Sequence, residues 1–326
     1  MKALVTGING FVGSHLAEYL LEHTDWQVAG TVYGDLTNIA HLAGRLELHQ
    51  VELSQMSAAV GVLDETRPDY VIHLAAQAIP SLARHDPWPT LETNIRLQFN
   101  MLHAVTKLGL DCRMLVVGSG EEYGLVRPDE LPVREDTPLR PLNAYGVSKI
   151  AQEMLGLQYH FGFGVPVVVV RPFNHVGPRQ SLGFVAPDFA RQVAQAEAGL
   201  RDPVIEVGNL DVSRDFSDVR DIVHGYYLAI TEGQPGEVYN LGSERACSIR
   251  DLLDILVSNS GVRMEVKEDA ARMRPAGVPV VVSDCSKFRE LTGWRTTIPF
   301  DDSLADVLDY WRGIVRDGQQ GTAGGQ

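Results

Sequence analysis

The stretch from Lys2 to Leu21 constrains the fold more than any other part of the chain. Lys2-Ala3-Leu4-Val5-Thr6 is a short apolar run that reads as a buried parallel strand. Gly7, Gly10 and Gly13 follow at three-residue intervals, and Ser14-His15-Leu16-Ala17-Glu18-Tyr19-Leu20-Leu21 has helical periodicity. A strand, a glycine turn and a helix put free backbone N–H groups and a positive helix end where a pyrophosphate can sit. The spacing is G-x-x-G-x-x-G rather than G-x-G-x-x-G, and a lone glycine cluster is also compatible with a purely structural turn. The run begins at residue 2, which leaves no room for a signal peptide and predicts a cytoplasmic protein.

A second stretch, Asn143-Ala144-Tyr145-Gly146-Val147-Ser148-Lys149, narrows the chemistry. A free phenol has a pKa of about 10 and exchanges protons poorly at neutral pH. A lysine four residues on shares its helix face, and the ammonium charge favours the phenolate. Alone, the pair could arise by chance. Beside a dinucleotide turn, it points to hydride transfer at an oxygen-bearing carbon.

Strand-like and helix-like segments alternate through the first half. Residues 26–32, 45–51, 70–74, 113–117 and 165–170 read as strands, with helices over 93–108 and 144–160. This alternation predicts an α/β fold, a Rossmann-type doubly wound parallel sheet with ligands at the strands' carboxyl ends. Residues 1–174 are expected to form the dinucleotide-binding domain. Beyond 175 the pattern turns irregular, and 175–316 is expected to form mainly a smaller substrate-binding α/β lobe, with later segments returning to the sheet. Residues 317–326, rich in Gly and Gln, predict a disordered tail.

Composition excludes several classes. A net charge of −14 argues against nucleic acid as a partner, so an anionic substrate must be met by local arginines. No apolar run approaches the roughly 20 residues of a membrane span. Cys112, Cys247 and Cys285 are far apart, and the ten histidines lack ligand spacing, so neither a disulfide framework nor a metal site is expected.

With these residues in view, the chain resembles the extended short-chain dehydrogenases/reductases that act on nucleotide sugars, over nearly its whole length. The resemblance rests on Thr6-Gly7-x-x-Gly10-Phe11-x-Gly13, His73-Leu74-Ala75-Ala76, Gly118-Ser119-Gly120-Glu121-Glu122-Tyr123-Gly124, Tyr145-x-x-x-Lys149 and Arg171-Pro172-Phe173-Asn174. Gln180-Ser181-Leu182-Gly183-Phe184-Val185 and Arg214-Asp215-Phe216-Ser217-Asp218 point to its GDP-sugar branch. The resemblance implies that Tyr145 exchanges the proton, Lys149 holds the nicotinamide ribose and lowers the tyrosine's pKa, and Ser119 hydrogen-bonds the reacting sugar oxygen. It implies NADPH or NADH contacts from Gly7, Asn9, Gly10, Phe11, Val12, Val32, Tyr33, Glu52, Leu53, Leu74, Ala75, Ala76, Asn94, Val117, Arg171 and Phe173. Substrate contacts are implied for Asn174, Phe184, Val185, Arg214 and Arg274; Arg191 either faces the nucleotide or is surface charge. Family members commonly dimerise through two helices per subunit, here 93–108 and 144–160, so a homodimer is expected.

The reaction type turns on residues 119–121. In related 4,6-dehydratases this strand end resembles Thr, then Asp or Ser, then Glu, with the Glu removing the C5 proton and the preceding group assisting loss of water from C6. Here Ser119 and Glu121 are present, but Gly120 stands where the acid or hydroxyl should be. Elimination would lose a helper worth about 10² to 10⁴ in rate, whereas ketone reduction needs none. The expectation is therefore reduction of the C4 ketone of GDP-4-keto-6-deoxy-D-mannose to GDP-D-rhamnose. Glu121 would then bind substrate, serve structure, or be a relic. A GDP-mannose 4,6-dehydratase and a non-catalytic dinucleotide sensor are the alternatives. Val32 and Tyr33 close the second strand where an Asp would favour NAD and an Arg NADP, so preference stays open, with Asp35 a possible substitute.

Overall fold

In the computed structural model, residues 1–78, 86–273 and 278–323 are described. β1 (Lys2–Thr6) opens the chain and is followed by α1 (Phe11–His23). β2 (Gln27–Val32) and β3 (Glu47–Gln50) then extend the sheet on one side of β1. α2 (Met56–Thr66) carries the chain to β4 (Tyr70–His73) on the other side of β1. α3 (Pro87–Leu108), β5 (Arg113–Val117), α4 (Ala144–Phe163) and β6 (Val167–Pro172) continue outward. The reversal between β1 and β4 creates a crevice at their carboxyl ends, where an open α/β sheet binds its ligand. Val167 to Val170 form a run of β-branched residues, all fully buried, as a strand covered on both faces requires.

Past β6 the chain leaves the sheet through β7 (Asn174–Val176), α5 (Val185–Glu197), β8 (Val204–Val207) and β9 (Ser213–Asp218). α6 (Val219–Glu232) returns, and β10 (Val238–Leu241) pairs in parallel with β6 as the seventh strand. The sheet order is β10-β6-β5-β4-β1-β2-β3. β11 (Ala246–Ser248), α7 (Ile249–Ser258), β12 (Glu265–Glu268), β13 (Val280–Val281), α8 (Ser286–Thr292) and α9 (Phe300–Ala323) complete the chain.

Two apolar cores flank the sheet. Leu16 and Leu20 of α1 meet Val219, Ile222 and Tyr226 of α6 on one face; Leu63, Met101, Val105 and Tyr159 fill the other. A third core, with Phe189, Leu252, Leu256, Leu304 and Trp311, builds the lobe from α5, α7 and α9. The helix expected from residue 93 starts at Pro87, because proline is tolerated in a first turn where its missing N–H would be unbonded anyway. The expected tail is a correction: α9 runs to Ala323, since Leu304, Val307, Leu308 and Trp311 anchor it against the lobe and the helix propagates beyond them. Residues 324–326 lie outside the described residues.

Gly13 sets how closely α1 approaches the turn. A Cβ there would meet the Gly7 carbonyl oxygen and come within 2.8 Å of Ile8 Cα, both backbone atoms. Gly61, inside α2, faces open space. Gly13→Ala is therefore expected to destabilise the protein by about 1–3 kcal/mol, whereas Gly61→Ala gains about 0.5–1 kcal/mol of helix propensity. Urea denaturation checks the pair; equal shifts for both would contradict the packing described.

Candidate active site

The dinucleotide cradle is built from backbone. Gly7 leaves β1 at φ +67°, a left-handed conformation that favours glycine, and a Cβ there would lie 3.1 Å from Ala75 Cα. The Gly10 N–H donates to the Gly7 carbonyl at 2.9 Å, and Gly10 precedes α1 without any side-chain cap. The helix therefore presents its first N–H groups and positive end to the crevice. Thr6 Oγ1 accepts from the Leu74 and Ala75 N–H groups, both at 3.0 Å, tying the two strand ends across the crevice. These residues fit a dinucleotide pyrophosphate: an uncapped helix start and glycines without side chains stand at the crevice.

Several expected cofactor residues shape this cradle rather than presenting side chains to it. The Asn9 amide donates to the Tyr33 and Asp35 carbonyls at 2.8 and 2.6 Å, pinning the loop after β2. Val32 is buried, Tyr33 is exposed, and the Asp35 carboxylate is taken up by the Thr37 N–H and hydroxyl. Glu52 accepts from Ser54 N–H at 3.3 Å, and the buried Leu53 offers its carbonyl to Asn100. Asn94 is fully buried; it donates to the Gln77 carbonyl at 3.1 Å and the Ser148 hydroxyl at 2.9 Å, and so fixes the segment after Ala76. Phe11 stacks on His175 with centroids 6.0 Å apart, and Val12 packs on the first core.

Arg171 is a correction. Its guanidinium grips Glu153 at 2.8 and 2.6 Å and donates to the Tyr123 hydroxyl at 2.8 Å and the Glu135 carbonyl at 3.0 Å. All of this is buried beneath the crevice, because a desolvated guanidinium must be paired. Its side chain is therefore spent on the interior and unavailable to a dinucleotide.

The expected catalytic side chains converge where β5 ends and α4 begins. Asn143 caps α4 through the Gly146 N–H at 2.8 Å, which places Tyr145 in the first turn. Ser119 caps the 3-10 turn Gly120–Glu122. The Ser119 hydroxyl lies near enough to the Tyr145 phenol to lower its pKa. Burial raises the Tyr145 pKa and the Glu121 charge raises it further; the Ser119 hydroxyl opposes them. Lys149 Nζ donates to the Val117 carbonyl at 2.8 Å and lies 5.7 Å from the Tyr145 ring centroid. Burial lowers the lysine to about 8, against the attraction of Glu122. Burial and the Glu121 charge together outweigh the lowering influence of Ser119 on the Tyr145 phenol.

Glu121 is exposed, accepts from Asn143 Nδ2 at 2.8 Å, and its charge reaches both Tyr145 and Arg214. A Cβ on Gly120 would press on the buried Phe173 ring at 3.2 Å. Phe173 also stacks on Tyr123, with centroids 6.0 Å apart.

Across the crevice stands the lobe. Asn174 is exposed at the start of β7, Phe184 caps α5 and Val185 begins it. Arg191 is half-buried on α5 with a buried Nε that has no partner. Arg214 is held by the Ser213 and Val278 carbonyls at 2.8 and 3.0 Å; burial lowers its pKa and the Glu121 charge opposes that. Arg274 lies outside the described residues. Sequence reasoning missed Asp215, whose buried carboxylate gathers N–H and hydroxyl groups of Ser243 and Ser283 and so holds β9 in place. It missed Arg179 too, which reaches from the loop after β7 to Glu18 and His15 of α1 and ties the lobe to the dinucleotide helix. The buried Glu122 was given no role, and the buried Glu153 passed unnoticed although it lies one further helical turn along the Tyr145–Lys149 face.

Comparison with known proteins identifies the family. The family model described as GDP-mannose 4,6 dehydratase matches residues 4–307. A GDP-6-deoxy-D-mannose reductase of Pseudomonas aeruginosa is 38% identical over 317 residues, covering 97% of this chain and 99% of the relative. A GDP-mannose 4,6-dehydratase of Yersinia enterocolitica is 27% identical, covering 94% and 92%. The solved structure of RMD from Pseudomonas aeruginosa complexed with NADPH superposes with a TM-score of 0.85 at 36% identity, over 96% of this chain and 99% of that one. The chain belongs to the GDP-mannose 4,6-dehydratase family, within the nucleotide-sugar short-chain dehydrogenases/reductases.

Proposed function

We propose that this enzyme uses NADPH or NADH to reduce the C4 ketone of GDP-4-keto-6-deoxy-D-mannose, yielding GDP-D-rhamnose. One observation carries the choice of reaction: Ser119, Tyr145 and Lys149 are assembled, while Gly120 lacks a side chain and is closed against Phe173. The backbone cradle at Gly7, Gly10 and the start of α1 would hold the dinucleotide, with Lys149 on its nicotinamide ribose. When bound, the reduced nicotinamide supplies hydride. The chain supplies the rest: the Ser119 and Tyr145 hydroxyls hydrogen-bond the ketone oxygen, and the Tyr145 proton passes to that oxygen as its charge develops. The raised pKa of the phenol suits this direction, since the tyrosine waits protonated. Arg214 would take the diphosphate as a charge-assisted donor, with Asn174 and Arg191 beside it.

A dehydratase reading is favoured by the family model and by Glu121, whose exposed carboxylate faces the crevice. Elimination needs acid–base help at both C5 and C6, and only Glu121 remains to give it. Three free cysteines support a reducing, cytoplasmic location. Among the described residues no helix is long and apolar enough to cross a membrane. A homodimer through α3 and α4 is supported by Phe99, Val147, Met154 and Phe161, large apolar side chains exposed on these two helices.

Tyr145→Phe is expected to bind NADPH normally and to lose at least about 10³-fold in turnover; wild-type-like turnover would refute the assigned role. The kcat/KM profile for ketone reduction is expected to fall as pH rises through about 8, because the active form carries the Lys149 ammonium. A profile that rises across that range would contradict it. Given GDP-mannose, the purified enzyme should release essentially no 4-keto product; given the 4-keto-6-deoxy sugar, it should oxidise NADPH or NADH stoichiometrically. Rapid 4-keto formation from GDP-mannose without net cofactor consumption would establish the dehydratase instead. Sedimentation should give a dimer at micromolar concentration, and a monomer alone would rule out the α3–α4 interface.

A further inference from the structure

Directly beneath the reacting groups lies a buried charged layer that the proposed chemistry does not use. Glu122 is fully buried, and its Oε1 accepts the Ser119 N–H at 2.7 Å. Room for that carboxyl exists because residue 118 is glycine: a Cβ there would collide with Glu122 Oε1. Glu153, on the α4 face that carries Tyr145 and Lys149, is also buried and takes both the Nε and Nη2 hydrogens of Arg171. Glu122 Oε2 is left 3.5 Å from Arg171 Nε and has no hydrogen-bond donor.

The missing donor at Oε2 points to the state of Glu122. One guanidinium balances one carboxylate, and Glu153 holds the bidentate position. Lys149, the other buried cation nearby, gives its hydrogen bond to the Val117 carbonyl, so an ionised Glu122 would keep a buried carboxylate oxygen with no donor, which is unfavourable. Oε2 gains a partner by carrying a proton itself and donating it to Glu153. The charged and titratable groups that interact with Glu122 are Tyr145, Lys149 and Glu153 from α4 and Arg171 from β6. Burial and the Glu153 charge push Glu122 well above the ordinary carboxylate range, with Arg171 opposing them.

We propose that Glu122 is a positioning residue for ketone reduction, a protonated carboxyl that fixes Ser119 from below while donating to Glu153. In that form it clamps the residue whose hydroxyl meets Tyr145, and it adds no negative charge under a phenol that must release a proton. An ionised Glu122 would hold the Tyr145 proton more tightly and draw on the Lys149 ammonium, since its charge raises both.

The proposal rests on the reductase reading only for its kinetic arm. Its first arm needs no sugar: an infrared difference spectrum of wild type against Glu122→Gln should show the carbonyl stretch of a protonated carboxyl, constant from about pH 6 to about pH 9. Absence of that band, or its titration in this range, would overturn the proposal. In the second arm, Glu122→Leu should cut kcat by on the order of 10²-fold with NADPH affinity by fluorescence titration unchanged. Glu122→Gln, whose amide can accept from Ser119 and donate to Glu153, should recover most of that loss without moving the pH profile. Full activity in the Leu variant, or a folded Gln variant as impaired as Leu, would also overturn it. If the Leu variant fails to fold, the Gln variant and the band decide alone. A wild type inactive on the 4-keto sugar but showing the band would sink the substrate reading and leave this inference standing.

Discussion

The site depends on one hydrogen bond, from the Lys149 ammonium to the Val117 carbonyl at the end of β5. Ser119 lies two residues beyond that carbonyl, and Tyr145 one helical turn before that lysine. A single buried bond therefore sets both sides of the Ser119–Tyr145 pair. Such charge-assisted bonds contribute about 1.5–3 kcal/mol, and losing a partner where water cannot replace it costs more. Desolvation also brings the lysine to about 8, so the bond that builds the site leaves its anchor able to change charge within a physiological range.

Around this anchor, charge is arranged by depth. Glu121 at the rim is exposed and its charge reaches Arg214, on the side where an anionic substrate would lie. Lys149 sits at the middle level. Below it, Glu153 and Arg171 neutralise each other, and Tyr123 and Asn240 absorb the remaining polar groups. The phenol of Tyr145 stands between rim and floor with its pKa raised by burial and by Glu121. That arrangement suits a proton donor in reduction better than a base.

Much of this was legible in the sequence because periodicity and glycine spacing report directly on backbone. The strand, turn and helix at the N-terminus, the parallel alternation and the Tyr145–Lys149 face all follow from such patterns. What stayed hidden depends on which way a side chain turns. Arg171 sits in a motif beside Phe173 and Asn174, yet points into the interior because Glu153 is there to pair it. Asn9 and Asn94 lie beside the cradle, but Asn9 spends its amide on neighbouring backbone and Asn94 on the Gln77 backbone and the Ser148 hydroxyl. The helical end at 317–323 was missed because Gly and Gln composition says nothing of the anchoring supplied by Leu304 to Trp311. Gly120 was legible as a missing acid, but its closure against Phe173 was not.

In the proposed reaction hydride adds to C4 with no elimination at C5 and C6. NADPH deuterated at the transferring position, supplied with the 4-keto-6-deoxy sugar in ordinary water, tests it most directly. The account predicts one deuterium at C4 of the product for each cofactor oxidised, and in heavy water with unlabelled NADPH no deuterium at C5. A C4 position without label, or rapid solvent exchange at C5 driven by Glu121, would contradict it.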